Sequence, residues 1–208
     1  MKEVFTHLER DPKLAKVMST TPLRLPSTND DVYFTLLRSI VEQQLSTKAA
    51  ATIWGRFLER FDGYPRPELV LQKPMEEFRG AGLSFQKAGY IQNIARFAQS
   101  EDLSKDFIDG LSDAEALAHL TRIKGVGRWT AEMILMFSLN RPDVFPVDDL
   151  IIRNAMVMIY EVKSEKKQLY IDLEAIAKAW SPYRTYACLM LWDWYEGQVK
   201  GRKLYGAE

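Results

Sequence analysis

Apolar residues recur at three- and four-residue spacing along most of the chain, and strict alternation of apolar and polar residues is nearly absent. The first pattern gives a helix one apolar face, whereas alternation is typical of a half-buried strand. The segment 30–44 illustrates the helical pattern, with Val32, Leu36, Leu37 and Ile40 at this spacing. The sequence therefore predicts an all-α fold.

Capping residues and helix breakers divide the chain into predicted helices. Ser84 begins one helix, and Ser112 begins another in a capping box with Glu115. The Ser27–Thr28–Asn29 cluster is the predicted cap of the first helix. The predicted helices lie at about 30–44, 47–61, 74–80, 84–98, 112–122, 127–138, 150–160, 165–180 and 183–196.

Composition narrows the class of protein. A chain of 208 residues with 47% apolar residues can bury a core as one large domain or two small lobes. The single cysteine, Cys188, excludes an internal disulfide framework, a four-cysteine zinc site and a cysteine-ligated iron–sulfur cluster. We find no signal peptide and no apolar window of membrane-spanning length, so we expect a cytoplasmic protein without a membrane partner.

The segment Gly125–Val126–Gly127 lies between two predicted helices that are only a few residues apart, which forces them into a tight hairpin. Two glycines before a helix expose backbone N–H groups, and these together with the helix dipole suit an anion such as a phosphate. Taken alone, the pattern is more typical of an ordinary helix C-cap glycine followed by a turn glycine.

The neighbouring residues make the pattern specific. The hairpin runs on into Arg128–Trp129–Thr130–Ala131, and Val144 to Asp149 follow after a proline-containing bend. This combination resembles the helix-hairpin-helix (HhH-GPD) DNA glycosylase superfamily, and most closely its DNA-3-methyladenine glycosylase II (AlkA-type) branch. Further matches to that branch are residues 41–50, 82–87, 181–187 and Trp192.

The resemblance implies an arrangement of the whole chain as a single glycosylase domain, residues 1–208. We expect two helical lobes with the active-site cleft between them. One lobe holds the central helices, about 30–140, and includes the hairpin at about 112–139. The other combines the N-terminal segment with about 141–208.

Position 129 separates two reaction types within the superfamily. Bifunctional members have a lysine there, whose amine forms a Schiff base with the sugar and leads to strand cleavage. Trp129 cannot do so. The resemblance therefore implies a monofunctional enzyme that hydrolyses the N-glycosidic bond of alkylated purines, of the 3-methyladenine and 7-methylguanine type, and leaves an abasic site.

The candidate catalytic residues are two adjacent aspartates. A carboxylate stabilises the positive charge that develops on the sugar and orients or deprotonates the water. By the Asp–Asp pattern of the alkylation branch this residue is Asp149, while the pattern of other branches aligns Asp148 instead. Either aspartate also suits the cap of the helix that begins at Leu150.

The resemblance also assigns a base pocket and a DNA-binding surface. Trp192 is the expected stacking wall for the flipped base, with Trp129, Met133 and Leu150 around it. The expected wedge is Gln44, which would fill the gap in the duplex, although an exposed polar residue at a helix end explains this position equally well. The remaining expected DNA-binding residues are Gln43, Ser46, Gly125, Val126, Gly127, Arg128 and Thr130.

No cofactor is expected to be required. The superfamily implies a structural Na⁺ or K⁺ at the hairpin, bound by the backbone carbonyls of Thr121, Ile123 and Val126. With 28 basic and 28 acidic residues the net charge is zero, so DNA contacts must be local rather than due to bulk charge.

The expected partner is double-stranded DNA that contains damaged bases, bound by a monomer in the cytoplasm or, in a bacterium, at the nucleoid. Two other functions remain open at this point. A non-catalytic helix-hairpin-helix module would use the hairpin alone to bind phosphates. A hydrolase of free nucleosides would share the carboxylate chemistry but would not need the hairpin.

Overall fold

The computed structural model describes residues 1–25 and 30–205, with side chains through Gln198. This part of the chain is helical and contains no strand, which confirms the all-α prediction. Its helices are α1 (Lys2–Leu8), α2 (Pro12–Thr20), α3 (Val32–Glu42), α4 (Thr47–Leu58), α5 (Pro67–Gln72), α6 (Met75–Gly80), α7 (Phe85–Ser100), α8 (Lys105–Asp109), α9 (Asp113–Thr121), α10 (Arg128–Phe137), α11 (Leu150–Tyr160), α12 (Lys166–Ala177) and α13 (Arg184–Tyr205), with 3₁₀ turns at Glu59–Phe61 and Lys178–Trp180.

Side-chain caps set several helix starts where the sequence predicts them. The Ser84 hydroxyl accepts a hydrogen bond from the Lys87 N–H, and Ser112 and Glu115 form the predicted capping box. The cap of α3 is Asp31, whose carboxylate accepts from the Phe34 N–H. The predicted cap Ser27–Thr28–Asn29 lies outside the described residues.

Both ends of the chain contain more helix than the sequence predicts. α13 continues past Glu196 to Tyr205, because its tail contains no proline and an interior glycine weakens a helix by only about 1 kcal/mol. Near the N-terminus, Asp11 caps α2 and Pro12 occupies its first position. Within the described residues, no helix combines the length and apolar character that crossing a bilayer requires.

Contacts divide the chain into two compact units, of which one is Thr28–Leu139. Here α7 packs against α3, α5 and α6, while α9 and α10 form the hairpin and α10 contacts α3. The core of this unit is a set of fully buried apolar side chains that includes Phe57, Phe78, Leu36, Ile91 and Leu120. The hairpin is therefore anchored by apolar packing beneath it.

The other unit combines Met1–Ser27 with Asn140–Glu208. In it α13 packs against α11 and α2. Asp11 accepts hydrogen bonds from the Tyr160 hydroxyl at 2.6 Å and the Trp180 indole N–H at 3.0 Å while it caps α2. Burial raises the pKa of Asp11, but these hydrogen bonds outweigh it and lower the pKa below the usual value. The N-terminal helices are thus tied to the C-terminal half of the unit.

Candidate functional site

The predicted site residues divide between the two units. Asp148, Asp149, Leu150 and Trp192 belong to the unit that contains residues 140–208. The unit of residues 28–139 holds the others: Gln43, Gln44, Ser46, Thr121, Ile123, Gly125, Val126, Gly127, Arg128, Trp129, Thr130 and Met133.

Asp149 is buried and its carboxylate is held by two N–H donors. It is the N-cap of α11 and only 7% exposed. Its Oδ1 accepts from the Ile152 backbone N–H at 2.9 Å and from the Trp192 indole N–H at 2.9 Å. Hydrogen bonds to a carboxylate are strong and directional, so these two donors fix its orientation at the start of the helix. A fixed, largely desolvated carboxylate is suited to stabilising a developing cation.

Asp148 differs from Asp149 both in its burial and in the hydrogen bonding of its carboxylate. It is exposed, and within the described residues its side chain makes no hydrogen bond. Its backbone carbonyl accepts from the Arg153 guanidinium at 3.3 Å, and the same Nη1 donates to the Tyr170 hydroxyl at 2.7 Å. The structure therefore holds the backbone of Asp148 but leaves its carboxylate to solvent.

Residues 140–149, here called the aspartate bend, are fixed to the start of α13 by Thr185. The Thr185 hydroxyl donates to the Arg141 carbonyl at 2.6 Å and accepts from the Val144 N–H at 3.0 Å. The Thr185 N–H donates to the Pro142 carbonyl at 3.0 Å. Since Thr185 is buried, these bonds are shielded from water.

A bidentate ion pair reinforces the same junction. Arg184 donates to Asp143 through Nε at 2.7 Å and through Nη2 at 2.9 Å, and the Ser181 hydroxyl donates to the same carboxylate at 2.8 Å. Although burial raises the pKa of Asp143, the bonds from Arg184 and Ser181 lower it overall. Because Trp192 lies two turns further along α13, this one helix positions both the bend and the indole that binds Asp149.

The shape of the hairpin loop, residues 122–127, depends on Gly125. Its φ of +109° lies in the region that favours glycine, and a Cβ there would lie 2.3 Å from Cγ of Tyr90. On the same helix as Tyr90, Asn93 donates from its amide to the Lys124 carbonyl at 3.1 Å. α7 therefore supports the loop from below, and any other residue at 125 would displace it.

Gly127 has a different role. It is the N-cap of α10 with φ −84°, a value any residue adopts, and a Cβ there would meet no atom within 4 Å. Its lack of a side chain leaves open space over the first turn of α10, with no side-chain cap on the N–H groups. This is the arrangement that an anion-binding helix start requires.

The side chains around the loop are partly buried and partly exposed. Val126, Ile123 and Thr130 are buried, so their side chains belong to the interior of this unit. Arg128 is exposed, and its Nε donates at 2.8 Å to the buried carboxylate of Glu132. The guanidinium is thereby held beside the helix start.

Two of the four predicted pocket residues are large apolar side chains with unusual exposure. Trp129 is 41% exposed and Leu150 is 60% exposed, although each lies in the first turn of a well-packed helix. Met133 and Trp192 are half-buried. Apolar groups exposed at helix starts are typical of a surface that binds something.

The segment after α3 contains the predicted wedge. Gln43 is the C-cap of α3, and Gln44 is exposed and has φ +58°, in the left-handed region. Ser46 caps α4 through the Ala49 N–H. The predicted wedge thus occupies a tight turn between two helices, in an unusual conformation for glutamine.

Sequence reasoning assigned no role to Asp143, Arg184, Thr185 or Asn93. Their contacts join residues that lie 31 to 44 positions apart, and no local pattern signals such a pair. The resemblance to the alkylation branch includes the segment 181–187 but implies no role for its individual residues.

Comparison with known proteins gives a consistent result. Residues 37–182 match the sequence model of the HhH-GPD superfamily base excision DNA repair proteins. DNA-3-methyladenine glycosylase 1 of Schizosaccharomyces pombe is 37% identical over 163 residues, which cover 77% of this chain and 71% of that protein.

Solved structures agree in fold. A DNA-3-methyladenine glycosidase from Bacillus halodurans superposes with a TM-score of 0.84 at 35% identity, covering 96% of this chain and 92% of that one. A 3-methyladenine DNA glycosylase of Schizosaccharomyces pombe in complex with abasic DNA gives 0.78 at 31% identity, with 99% of both chains covered.

Proposed function

Because the chain belongs to the HhH-GPD superfamily of base excision DNA repair proteins, we propose that it is a DNA glycosylase that removes alkylated purines and leaves an abasic site. Its substrates are double-stranded DNAs that contain bases of the 3-methyladenine and 7-methylguanine type. The observation that carries the proposal is the buried carboxylate of Asp149, fixed by the indole of Trp192 and the start of α11.

The proposed chemistry is hydrolysis of the bond between C1′ of the deoxyribose and the base nitrogen. The bonding electrons leave with the alkylated base, which is already cationic and departs neutral. The sugar becomes oxocarbenium-like, and the carboxylate of Asp149 stabilises this charge. Water adds to C1′, and its proton passes to Asp149 and then to solvent. The exposed Asp148 lacks the fixed geometry that this role needs.

Trp129 supports hydrolysis without strand cleavage. A lyase step requires an amine that attacks C1′ and forms a Schiff base, and an indole has no such nucleophile. We therefore propose a monofunctional enzyme.

The proposed base-binding residues are Trp192 and Leu150 in one unit and Trp129 and Met133 in the other. An N3- or N7-alkylated purine is positively charged and binds an aromatic face through cation–π attraction. The indole N–H at the edge of the Trp192 ring donates a hydrogen bond to Asp149. A base stacked on the face of this ring would therefore lie beside the carboxylate that stabilises the sugar. The Trp192 side chain would thus contribute both to binding the base and, by orienting Asp149, to cleaving the N-glycosidic bond.

DNA binding would rest on backbone groups rather than on net charge, which is zero. Gly125, Val126 and Gly127 lead into the start of α10, where the N–H groups of Gly127 and of the first helical turn would bind a phosphate, with Arg128 beside it and Thr130 in the same turn. Gln44 would fill the gap left by the flipped base, and Gln43 and Ser46 would contact the adjacent backbone.

We propose that the hairpin binds a monovalent cation through the backbone carbonyls of Thr121, Ile123 and Val126. In the described part of the chain no backbone N–H donates to the Thr121 or Val126 carbonyl, and the Ile123 carbonyl accepts only from the Val126 N–H, at 2.9 Å. Carbonyl oxygens with remaining lone pairs are suitable ligands for Na⁺ or K⁺, and a bound ion would add positive charge towards a phosphate. We expect a higher Tm in KCl than in tetramethylammonium chloride of equal concentration, and no difference would exclude the ion.

The proposed setting is a monomer that acts on cellular DNA, in the cytoplasm or at the nucleoid. The decisive experiment is release of free base from methylated duplex DNA under single-turnover conditions. We expect 3-methyladenine and 7-methylguanine to appear without strand scission at neutral pH. Binding of duplex without any release would instead indicate a non-catalytic DNA-binding module, and release that undamaged duplex does not inhibit would indicate a nucleoside hydrolase.

A further inference from the structure

A lysine of α7 binds the carboxyl-terminal end of α3. The ammonium of Lys87 donates to the Val41 carbonyl at 2.8 Å and to the Gln43 carbonyl at 2.6 Å. These oxygens belong to the last turn of α3, where backbone carbonyls lack intrahelical partners and the helix dipole favours a cation. Lys87 therefore acts as a side-chain cap from a different helix.

The residue after this cap has a strained backbone. Gln44 has φ +58°, in the left-handed region that is unfavourable for a residue other than glycine. The turn is closed by the Leu45 N–H, which donates to the Glu42 carbonyl at 3.2 Å. Strained conformations of this kind persist only where the surroundings determine them more strongly than the local preference.

Lys87 is itself held in place. Its backbone N–H donates to the hydroxyl of Ser84, the N-cap of α7, and α7 packs against α3. The Lys87 side chain is half-buried, and this burial lowers the pKa of its ammonium. With its ammonium engaged by two carbonyls, Lys87 is poorly placed to act as a phosphate ligand.

We propose that Lys87 is a positioning residue for the wedge. Its ammonium holds the Gln43–Leu45 turn in the shape that presents Gln44 to the duplex. The inference rests on the proposed glycosylase function. The two hydrogen bonds from Lys87 offset the backbone strain at Gln44 before DNA binds. A wedge that is already ordered loses less conformational entropy on insertion.

The test compares a lesion that needs the wedge with one that does not. Lys87→Met keeps the aliphatic stem and removes the ammonium. We expect the single-turnover rate of release of 7-methylguanine paired with cytosine to fall about tenfold. Release of the same lesion from an unpaired bulge, where flipping is already favoured, should change less than about twofold.

Lys48→Met is the matched control, because Lys48 is an exposed lysine in the first turn of α4, next to the same segment. It removes a nearby positive charge without touching the carbonyls, so the ratio of paired to unpaired rates should stay that of the wild type. Lys87→Arg keeps charge and donors and should largely restore the ratio. If Lys87→Met does not fold, Lys87→Gln replaces it, with the same expected direction.

Two further measurements identify the route of the effect. The Lys87→Met and Gln44→Ala effects on the paired lesion should be strongly non-additive, since both remove the same ordered wedge. Amide exchange of Gln43 and Leu45 should accelerate in Lys87→Met without DNA, while α4 is unaffected.

The outcomes separate the two proposals. Equal loss on paired and unpaired lesions, or full additivity with Gln44→Ala, would overturn the positioning role while leaving the glycosylase intact. Absence of base release by the wild type would overturn the glycosylase proposal. Unchanged amide exchange in Lys87→Met would by itself overturn the proposal that Lys87 holds the Gln43–Leu45 turn.

Discussion

The aspartate bend and the hairpin loop both lead into the start of a helix, but they are built in different ways. The bend ends in a side-chain cap, Asp149, and is held by a network of side chains from α13. The hairpin loop ends in a glycine without a side-chain cap, and its shape depends on backbone conformation and on packing against Tyr90. One helix start is capped by a carboxylate, and the other begins at a glycine that supplies no side-chain cap.

This difference matches two chemical tasks. A group that stabilises a developing cation must be negative and fixed, which requires donors around a carboxylate. A surface that binds phosphate must be open and needs no side chain, which suits glycine. Four predictions test this division of roles, in order of expected effect.

Asp149→Asn should have the largest effect. Asparagine keeps an oxygen that can accept from Ile152 and Trp192, so the fold should be retained while the negative charge is lost. We expect the single-turnover rate of base release to fall by about 10³-fold, with affinity for abasic DNA preserved. The control is Asp148→Asn, which should stay within about threefold of the wild type because its carboxylate is exposed. The reverse order would assign catalysis to Asp148.

Gly125→Ala should destabilise the hairpin. The new Cβ combines an unfavourable φ with a collision against Tyr90, and we expect a loss of about 3 kcal/mol in the free energy of unfolding. Gly127→Ala is the matched control and should cost about 0.5 kcal/mol, since its conformation and space allow a side chain. Adding Tyr90→Ala to Gly125→Ala should relieve the collision but not the φ strain. Equal costs at 125 and 127 in chemical denaturation would contradict this account.

The hairpin loop could be predicted from the sequence better than the aspartate bend, because its shape depends more on local signals. The helices and several of their caps were predictable, because spacing and capping are local signals. The helix at Pro12–Thr20 was not among the predicted helices, although an aspartate followed by proline is a local signal of a helix start. The Gly125 turn was predictable for the same reason.

The support of the aspartate bend was not predictable from the sequence alone. Asp143 and Arg184 are 41 positions apart, and either one, viewed singly, is an ordinary surface charge. The collision that makes Gly125 obligatory depends on Tyr90, 35 positions away, and is likewise a property of packing. Resemblance to the superfamily identified Asp149 and Trp192 as candidates, but the hydrogen bond between them came only from the structure.

Trp192→Phe tests that hydrogen bond. Phenylalanine keeps an aromatic face for the base and removes the indole N–H that orients Asp149. We expect the rate of base release to fall about tenfold while binding of abasic DNA is nearly unchanged. Trp194→Phe, two residues away on the same helix, should have no such effect. A loss confined to binding would mean that Trp192 contributes stacking alone.

The smallest effect concerns pH. The pKa of Asp143 is lowered in the folded protein, so the charged carboxylate stabilises the fold at pH values above its unfolded pKa of about 3.8. That contribution is lost as the pH falls through the lower folded pKa. Against the wild type, Asp143→Asn should be less stable by about 1–2 kcal/mol at pH 6, and the difference should shrink below pH ~3.8.

Amide exchange locates this pH-dependent term within the molecule. In Asp143→Asn at pH 6, exchange should accelerate at Val144 of the aspartate bend, whose N–H donates to the Thr185 hydroxyl of α13. The Val126 amide, which donates to the Ile123 carbonyl in the hairpin loop, should be unchanged because Asp143 belongs to the other unit. Equal acceleration at both amides would mean that the two helix starts are stabilised as one cooperative unit, and the distinction between a side-chain-held bend and a backbone-held loop would fail.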